Sequence, residues 1–290
     1  MAKGVLGVGR RRMPQSETRL PSIRDGETIH VESHLPPNEV VGTVLLLHGL
    51  GDHVRRHRET IRLLNRLNLE VLAFDWPGCG KSSGIRGDLP TIQEAGILVE
   101  RVCDHFERNP SGVIGHSTGG FFLPRLLPLE LPRLRNIEWI WLSSPLINPR
   151  HGQNRLKIAL AEKLAKRFPN LTLSTGVKPR DCYHPAPGES PNHFSEGVHS
   201  RISLRFGAHL LEEASRIPSL PPNLPILLTQ GSEDEVCATE VALKFFAALD
   251  SKDSTLLLAA GARHEPFREP HHAGITNGLR SWLRQKIRIS

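Results

Sequence analysis

Val113-Ile114-Gly115-His116-Ser117-Thr118-Gly119-Gly120 sets one serine between a short apolar run and a helix-forming segment, with a glycine two residues to either side. A strand that turns directly into a helix needs strained backbone at the turn, where neighbouring Cβ atoms collide. Gly115 and Gly119 remove that collision. The turn lifts the Ser117 hydroxyl clear of a sheet and sets it at a helix N-terminus, where the dipole favours negative charge. A G-x-S-x-G string also arises as a plain glycine-rich turn, so its meaning depends on what flanks it.

Working outward, short β-rich runs alternate with helix-period segments. Residues 18–23 and 28–34 flank Asp25-Gly26, a turn signal, and predict a hairpin. Residues 43–47 and 71–74 are almost unbroken apolar runs, as expected of strands buried on both faces. Helical spacing is read over 55–67, 92–106, 119–127 and 273–286. Further strands fall at 113–114, 137–142, 226–229 and 255–259. Trp139 and Trp141 share one face of their strand. Alternation of this kind predicts an α/β fold, an eight-stranded, mostly parallel sheet with helices on both faces. The stretch 145–220 interrupts it. It is rich in His, Pro, Arg and helix formers and ends at Pro221-Pro222-Asn223-Leu224-Pro225. We read a frayed N-terminus over 1–15, a core over 16–145 and 221–290, and an inserted helical cap over 146–220, since long excursions of this kind usually serve as lids.

Composition narrows the function. A chain of 290 residues with 38% hydrophobic residues buries a sizeable core without staples. The four cysteines, Cys79, Cys103, Cys182 and Cys237, show no CxxC spacing, so neither a zinc site nor a redox motif is indicated. The net charge is +7, but the basic residues are scattered except at 10–12, which argues against nucleic acid and suits an anionic lipid surface or acidic substrates. No apolar run reaches the roughly 18 residues of a membrane span, and the first residues lack a signal-type core. A cytoplasmic enzyme is expected, with peripheral membrane contact open.

A serine hydroxyl needs a general base. In the α/β-hydrolase order, the acid and then the histidine follow the serine. His264, in Gly261-Ala262-Arg263-His264-Glu265, stands after the eighth strand, where that order puts the base; His271 and His272 are weaker candidates at the start of the last helix. After the seventh strand come Glu233, Asp234 and Glu235, and chemistry alone leaves the acid open among them. Leu47-His48-Gly49-Leu50-Gly51 ends the third strand. The backbone N–H groups of Leu50 and Thr118 are the expected oxyanion donors, with Gly49 letting the chain turn inward.

These residues resemble a family. His48-Gly49-Leu50-Gly51-Asp52-His53, the run from Asp75 to Gly84, and Gly115-His116-Ser117-Thr118-Gly119-Gly120 are similar to the monoacylglycerol lipase and lysophospholipase branch of the α/β-hydrolases, as are Gly231-Ser232-Glu233-Asp234 and Gly261-Ala262-Arg263-His264. The resemblance implies Ser117, Asp234 and His264 as a triad, Leu50 and Thr118 as oxyanion donors, no cofactor or metal, and a cap that admits a fatty chain. It also puts Asp234 ahead of its two neighbours. Thr118 departs from the methionine often found there, and 185–196 matches the family's cap weakly.

The expected activity is hydrolysis of a carboxylic ester of a small acyl substrate. An aminopeptidase or thioesterase of the same fold, or a non-catalytic binding protein, are the alternatives. Gly78-Cys79-Gly80-Lys81-Ser82 mimics a phosphate loop, but the spacing requires glycine where Asp75 stands. His264-Glu265 does not extend to a zinc motif, since residue 268 is Arg. Residues 154–168 form a basic amphipathic helix, expected to pack Leu156, Leu160, Ala161, Leu164 and Phe168 on the core rather than on a lipid interface.

Overall fold

The computed structural model describes residues 15–214, 216, 220–269 and 272–287. The arginines at 10–12, the rest of the 1–14 stretch and His271 lie outside the described residues. The strands are β1 (Gln15–Pro21), β2 (Thr28–His34), β3 (Gly42–Leu47), β4 (Leu69–Phe74), β5 (Gly112–His116), β6 (Trp139–Ser143), β7 (Thr172–Ser174), β8 (Arg201–Ser203), β9 (Ile226–Gly231) and β10 (Ser254–Ala259). The helices are α1 (Arg58–Asn65), α2 (Ile92–His105), α3 (Thr118–Leu126), α4 (Arg155–Arg167), α5 (Pro179–Cys182), α6 (Leu204–Glu213), α7 (Thr239–Ala247) and α8 (Ala273–Lys286).

Eight strands make one sheet in the order β1-β2-β4-β3-β5-β6-β9-β10. β2 runs antiparallel to β1 and β4, and the other pairings are parallel. The hairpin turns at Gly26, whose φ of 75° favours glycine. Alternate residues of the central strands feed two cores. Leu45, Leu47, Val113, Ile140 and Leu142 meet Phe121, Phe122 and the apolar stripe of α2. Val44, Leu46, Ile114, Trp139 and Trp141 meet Leu64 of α1 and Leu279 and Trp282 of α8. The period of two sends successive side chains to opposite faces, so each strand is apolar throughout. Gly112 is required by this packing, since a methyl group there would stand 2.1 Å from the Trp139 ring.

Four features depart from expectation. The run read as a helix over 55–67 opens with a 3₁₀ turn at Val54–His57 before α1. The helix α7 was not foreseen. The excursion between β6 and β9 is not wholly helical, since β7 and β8 pair there as a small antiparallel sheet. Within that excursion α4 leans on α6. It half-buries Ile158, Ala161 and Ala165, at helical spacing, and leaves Leu156 81%, Leu160 58% and Phe168 50% exposed. Of the expected apolar side, Ala161 and Leu164 are half-buried, and the packing of Leu156, Leu160 and Phe168 on the core does not occur.

Asp88, buried in the loop before α2, ties the far end of the excursion down. It accepts from Ser203 Oγ (2.6 Å) and Arg205 Nε (2.9 Å), while Arg24 Nη2 stands 2.8 Å from its other oxygen. Gly51 O accepts from His199 N (3.0 Å), and a methyl on Gly51 would strike the His199 carbonyl at 1.9 Å.

Candidate active site

The C-terminal ends of β3, β5, β9 and β10 bring the expected residues to one edge of the sheet, where ligands gather in open α/β folds. Ser117 follows β5 with φ 53° and ψ −115°, a strained conformation for a residue with a side chain. It is held there by its N–H on Ser143 O (2.9 Å) and by its own carbonyl, which accepts from Leu146 N (2.9 Å) and Phe121 N (3.2 Å). The glycines act as their spacing implies. A methyl on Gly115 would meet Gly119 O at 2.6 Å, one on Gly119 would meet Leu47 O at 2.0 Å, and one on Gly120 would meet Pro145 Cβ at 2.6 Å. Thr118 is the first, buried residue of α3.

The loop after β3 lies directly against the serine. A methyl on Gly49 would stand 2.9 Å from Ser117 Cβ and 3.3 Å from Oγ. His48 fixes this loop from beneath. Its Nδ1 donates to Gly49 O (2.8 Å) and its Nε2 accepts from Trp76 N (3.1 Å), while Trp76 Nε1 donates to His48 O (3.0 Å). Only a neutral ring can do both, and burial lowers the pKa of His48 accordingly. Leu50, Ser117, Thr118 and His264 line one cavity of about 250 Å³, with Val177, Phe194, Val198 and Leu210 of the excursion also in its lining.

His264 Nδ1 donates to Asp234 Oδ2 (2.8 Å), and both residues are buried. Asp234 also accepts from Val236 N, Cys237 N and Gln230 Nε2 at 2.9, 2.9 and 2.8 Å. Glu233 and Glu235 are exposed. Burial works against the His264 cation, but the charge and hydrogen bond of Asp234 carry its pKa above the usual histidine value. His116 stacks beside it, with ring centroids 5.1 Å apart. Burial, followed by the neighbouring His264 and His57, pushes His116 well below the usual value and keeps it neutral.

Two features were not legible beforehand. Cys237 Sγ lies 4.0 Å from Ser117 Oγ, as a thiol whose pKa burial and then Asp234 push upward. Arg56 joins the loop after β3 to the His264 loop. Its Nη1 donates to Asp52 Oδ1 (2.9 Å), and its Nη2 donates to both Glu265 oxygens (2.7 Å each). Burial disfavours the Asp52 carboxylate, yet Arg56 and His57 hold its pKa well below the usual range. His272, the weaker histidine candidate that is described, bonds Glu269 O (2.8 Å) and is not part of this cavity. Among the described residues, donors at metal-binding separation occur on the hairpin instead. Glu17, His30 and Glu32 lie within 4.8 Å of one another, and Lys81 already pairs Glu17 at 2.9 Å.

Residues 38–271 match the family described as Serine aminopeptidase, S33 (Hydrolase_4). The chain belongs to this family. It is 29% identical to the monoglyceride lipase of Homo sapiens over 95% of this chain and 94% of that one. It is 25% identical to an uncharacterized abhydrolase domain-containing protein of Dictyostelium discoideum, over 91% of this chain but only 28% of that longer protein. The crystal structure of Paleococcus ferrophilus monoacylglycerol lipase superposes with a TM-score of 0.75 at 30% identity, covering 88% of this chain and 98% of that one. With the family and these relatives, the S33 chain stands as an esterase- or lipase-type hydrolase of the α/β-hydrolase fold. Among its described residues no helix is long and apolar enough to cross a membrane.

Proposed function

We propose that this S33 member hydrolyses carboxylic esters through an acyl-enzyme on Ser117, with monoacylglycerols or lysophospholipids as its substrate class. The observation that carries the reading is the buried His264–Asp234 bond at 2.8 Å, with His264 lining the same cavity as the strained Ser117. Asp234 fixes the proton on Nδ1 and leaves Nε2 free to take the proton of Ser117 Oγ. The oxygen attacks the ester carbonyl, and the N–H groups of Leu50 and Thr118 stabilise the oxyanion. His264 returns the proton to the leaving alcohol, and water then repeats the sequence on the acyl-enzyme. The residues 146–220 act as a cap whose Val177, Val198, Ile202 and Leu210 offer an apolar wall to an acyl chain. The monoglyceride lipases among the relatives support the choice of substrate.

The test is labelling with a fluorophosphonate probe, followed by a panel of monoacylglycerols, lysophospholipids, acyl thioesters and amino-acid anilides. Labelling is expected on the native chain and lost in Ser117→Ala. Labelling that survives the substitution refutes the nucleophile, and turnover of the anilides alone refutes the ester substrate.

The exposed Leu156, Leu160 and Phe168, with exposed Lys163, Lys166 and Arg167 beside them, favour docking of the cap on an anionic lipid surface. Flotation with phosphatidylserine vesicles is expected to carry the chain and to fail for Leu156→Ser/Leu160→Ser. A chain that stays wholly unbound refutes the docking.

A further inference from the structure

A second cavity, of about 160 Å³, lies behind the candidate base, and neither Ser117, Leu50, Thr118 nor His264 lines it. Its floor is apolar and comes from the lower face of the sheet, with Leu46, Ile114 and Trp141 all buried. Phe267 forms a side wall, its ring edge-on to Trp141 at 5.2 Å between centroids. Thr60 of α1, half-buried, stands at the rim, next to exposed Glu59 and Arg268. A cavity of about 150 Å³ with apolar walls accommodates one benzene ring.

The polar groups around it are nearly all engaged with each other. Asp52 is taken by Arg56 (2.9 Å) and His57 (2.7 Å), Glu265 by Arg56 (2.7 Å) and Arg268 (3.4 Å), and Glu59 by Arg62. Arg56 Nε is buried without a partner, but its guanidinium already faces the two carboxylates of Asp52 and Glu265, so an anionic ligand would meet no surplus positive charge and would have to give up its own hydration. His116 is different. Its Nδ1 lies 3.2 Å from the Ser143 carbonyl and 3.4 Å from Ser143 Oγ; the carbonyl only accepts and the hydroxyl is able to, so a ring hydrogen on Nδ1 serves both. Being neutral, the ring then has Nε2 as an acceptor, with no hydrogen-bond partner among the described residues.

We propose that this rear cavity binds a small neutral aromatic molecule carrying a single hydrogen-bond donor, of the phenol or indole class, and that occupancy is felt at His264. The walls supply the link. Asp52, Arg56, His116 and Glu265 line both cavities, Glu265 adjoins His264 in sequence, and the His116 ring lies 5.1 Å from that of His264 and 5.5 Å from that of His57. Only the link to His264 rests on the hydrolase reading; binding stands apart from it.

The experiment titrates phenol, indole and benzoate against the full chain after Ser117 is blocked with a fluorophosphonate, so that the ester cavity is filled. Should the chain fail to label, Ser117→Ala serves for the binding arm. Tryptophan emission and ligand-observed NMR report binding. Phenol is expected to bind saturably and benzoate not to bind. Thr60→Trp, which closes the rim, should weaken phenol by about tenfold or more, equivalent to 1.4 kcal/mol. Phe267→Ala, which widens the cavity, should shift preference from phenol to indole. With unblocked enzyme, phenol should change kcat for a short ester without competing for substrate. No saturable binding, equal binding of benzoate, or phenol affinity unchanged in both variants overturns the site. Binding with an unaltered kcat overturns the link to His264.

Discussion

Replacing Asp234 by asparagine removes one charge and no volume, and every neighbour of that side chain makes the exchange costly. All four groups around the carboxylate are donors: the N–H groups of Val236 and Cys237 on Oδ1, and Gln230 Nε2 and His264 Nδ1 on Oδ2, at 2.8–2.9 Å. The asparagine NH₂ must face one of these pairs. Turned toward Val236 and Cys237 it meets two backbone hydrogens that cannot rotate, leaving buried donors unsatisfied at about 1–3 kcal/mol. Turned toward His264 it is relieved only if the ring moves its proton to Nε2. That is the tautomer that cannot accept from Ser117. A wrong tautomer of this kind costs about 10⁴ in kcat, or about 5 kcal/mol at 1.36 kcal/mol per decade. The expected result for Asp234→Asn is therefore a fall of about 10³–10⁴ in kcat on p-nitrophenyl butyrate, a parallel slowing of fluorophosphonate labelling, and a melting temperature lower by several degrees. A folded variant that keeps more than a tenth of the activity would refute the reasoning and return the role to Glu233 or Glu235.

The remaining predictions follow from the same geometry. The pKa of His264 is raised although burial opposes its charge, and in the proposed mechanism the neutral ring is the base. Activity should therefore be lost as pH falls through a value above the ordinary histidine pKa of about 6.5, and Asp234→Asn should move that limb downward; a native limb below 6.5 contradicts this. Gly119→Ala puts a methyl 2.0 Å from Leu47 O and should cost about 3 kcal/mol or more in a denaturant melt, whereas Gly274→Ala in α8, with nothing within 4 Å, should be neutral or stabilising by up to about 1 kcal/mol. Equal midpoints for the two variants would disprove the steric argument. Asp88→Ala strips a buried acceptor from Ser203 and two arginines that are each 27% exposed, so a loss of only about 1–3 kcal/mol is expected. Hydrogen exchange should accelerate over β8 and α6, and unchanged exchange there would show that Asp88 does not anchor the segment.

How far the residues announce their fold depends on how local the physics is. The core strands were legible because each is an apolar run ended by Gly, Pro or Asp, and burial on both faces leaves no alternation to decipher. The turn at Ser117 was legible because its constraint lies within six residues, from Gly115 to Gly120. The candidate acid was legible only through the resemblance, since Glu233, Asp234 and Glu235 differ only in which one the turn after β9 directs inward. That turn puts Asp234 beneath two backbone N–H groups and leaves the others in water. The contact between Arg56 and Glu265 spans 209 positions and has no spacing signature. The α4 face was misread for a related reason. Amphipathicity tells that a helix has sides, but only the position of α6 determines which side is covered.

The excursion leaves the sheet after β6 and returns at β9, and these strands are neighbours, with Ile140 opposite Ile226 and Ser143 opposite Thr229. A parallel pair needs a crossover of about a dozen residues, and α6 with its flanks would supply that. Everything from 146 to about 200 is surplus to closing the sheet. Natural variation can therefore lengthen, shorten or exchange this module through a single gap between adjacent strands while β5, β9 and β10 keep their register, provided the replacement supplies the contacts that Cys182 O and His184 make to Glu265 N and Glu269 in the loop after β10. An engineer has the same freedom: a foreign segment grafted between Leu146 and Ser203 would retune what enters the pocket, so long as it restores the bonds now made by Cys182, His184 and His199 to the loops beneath it.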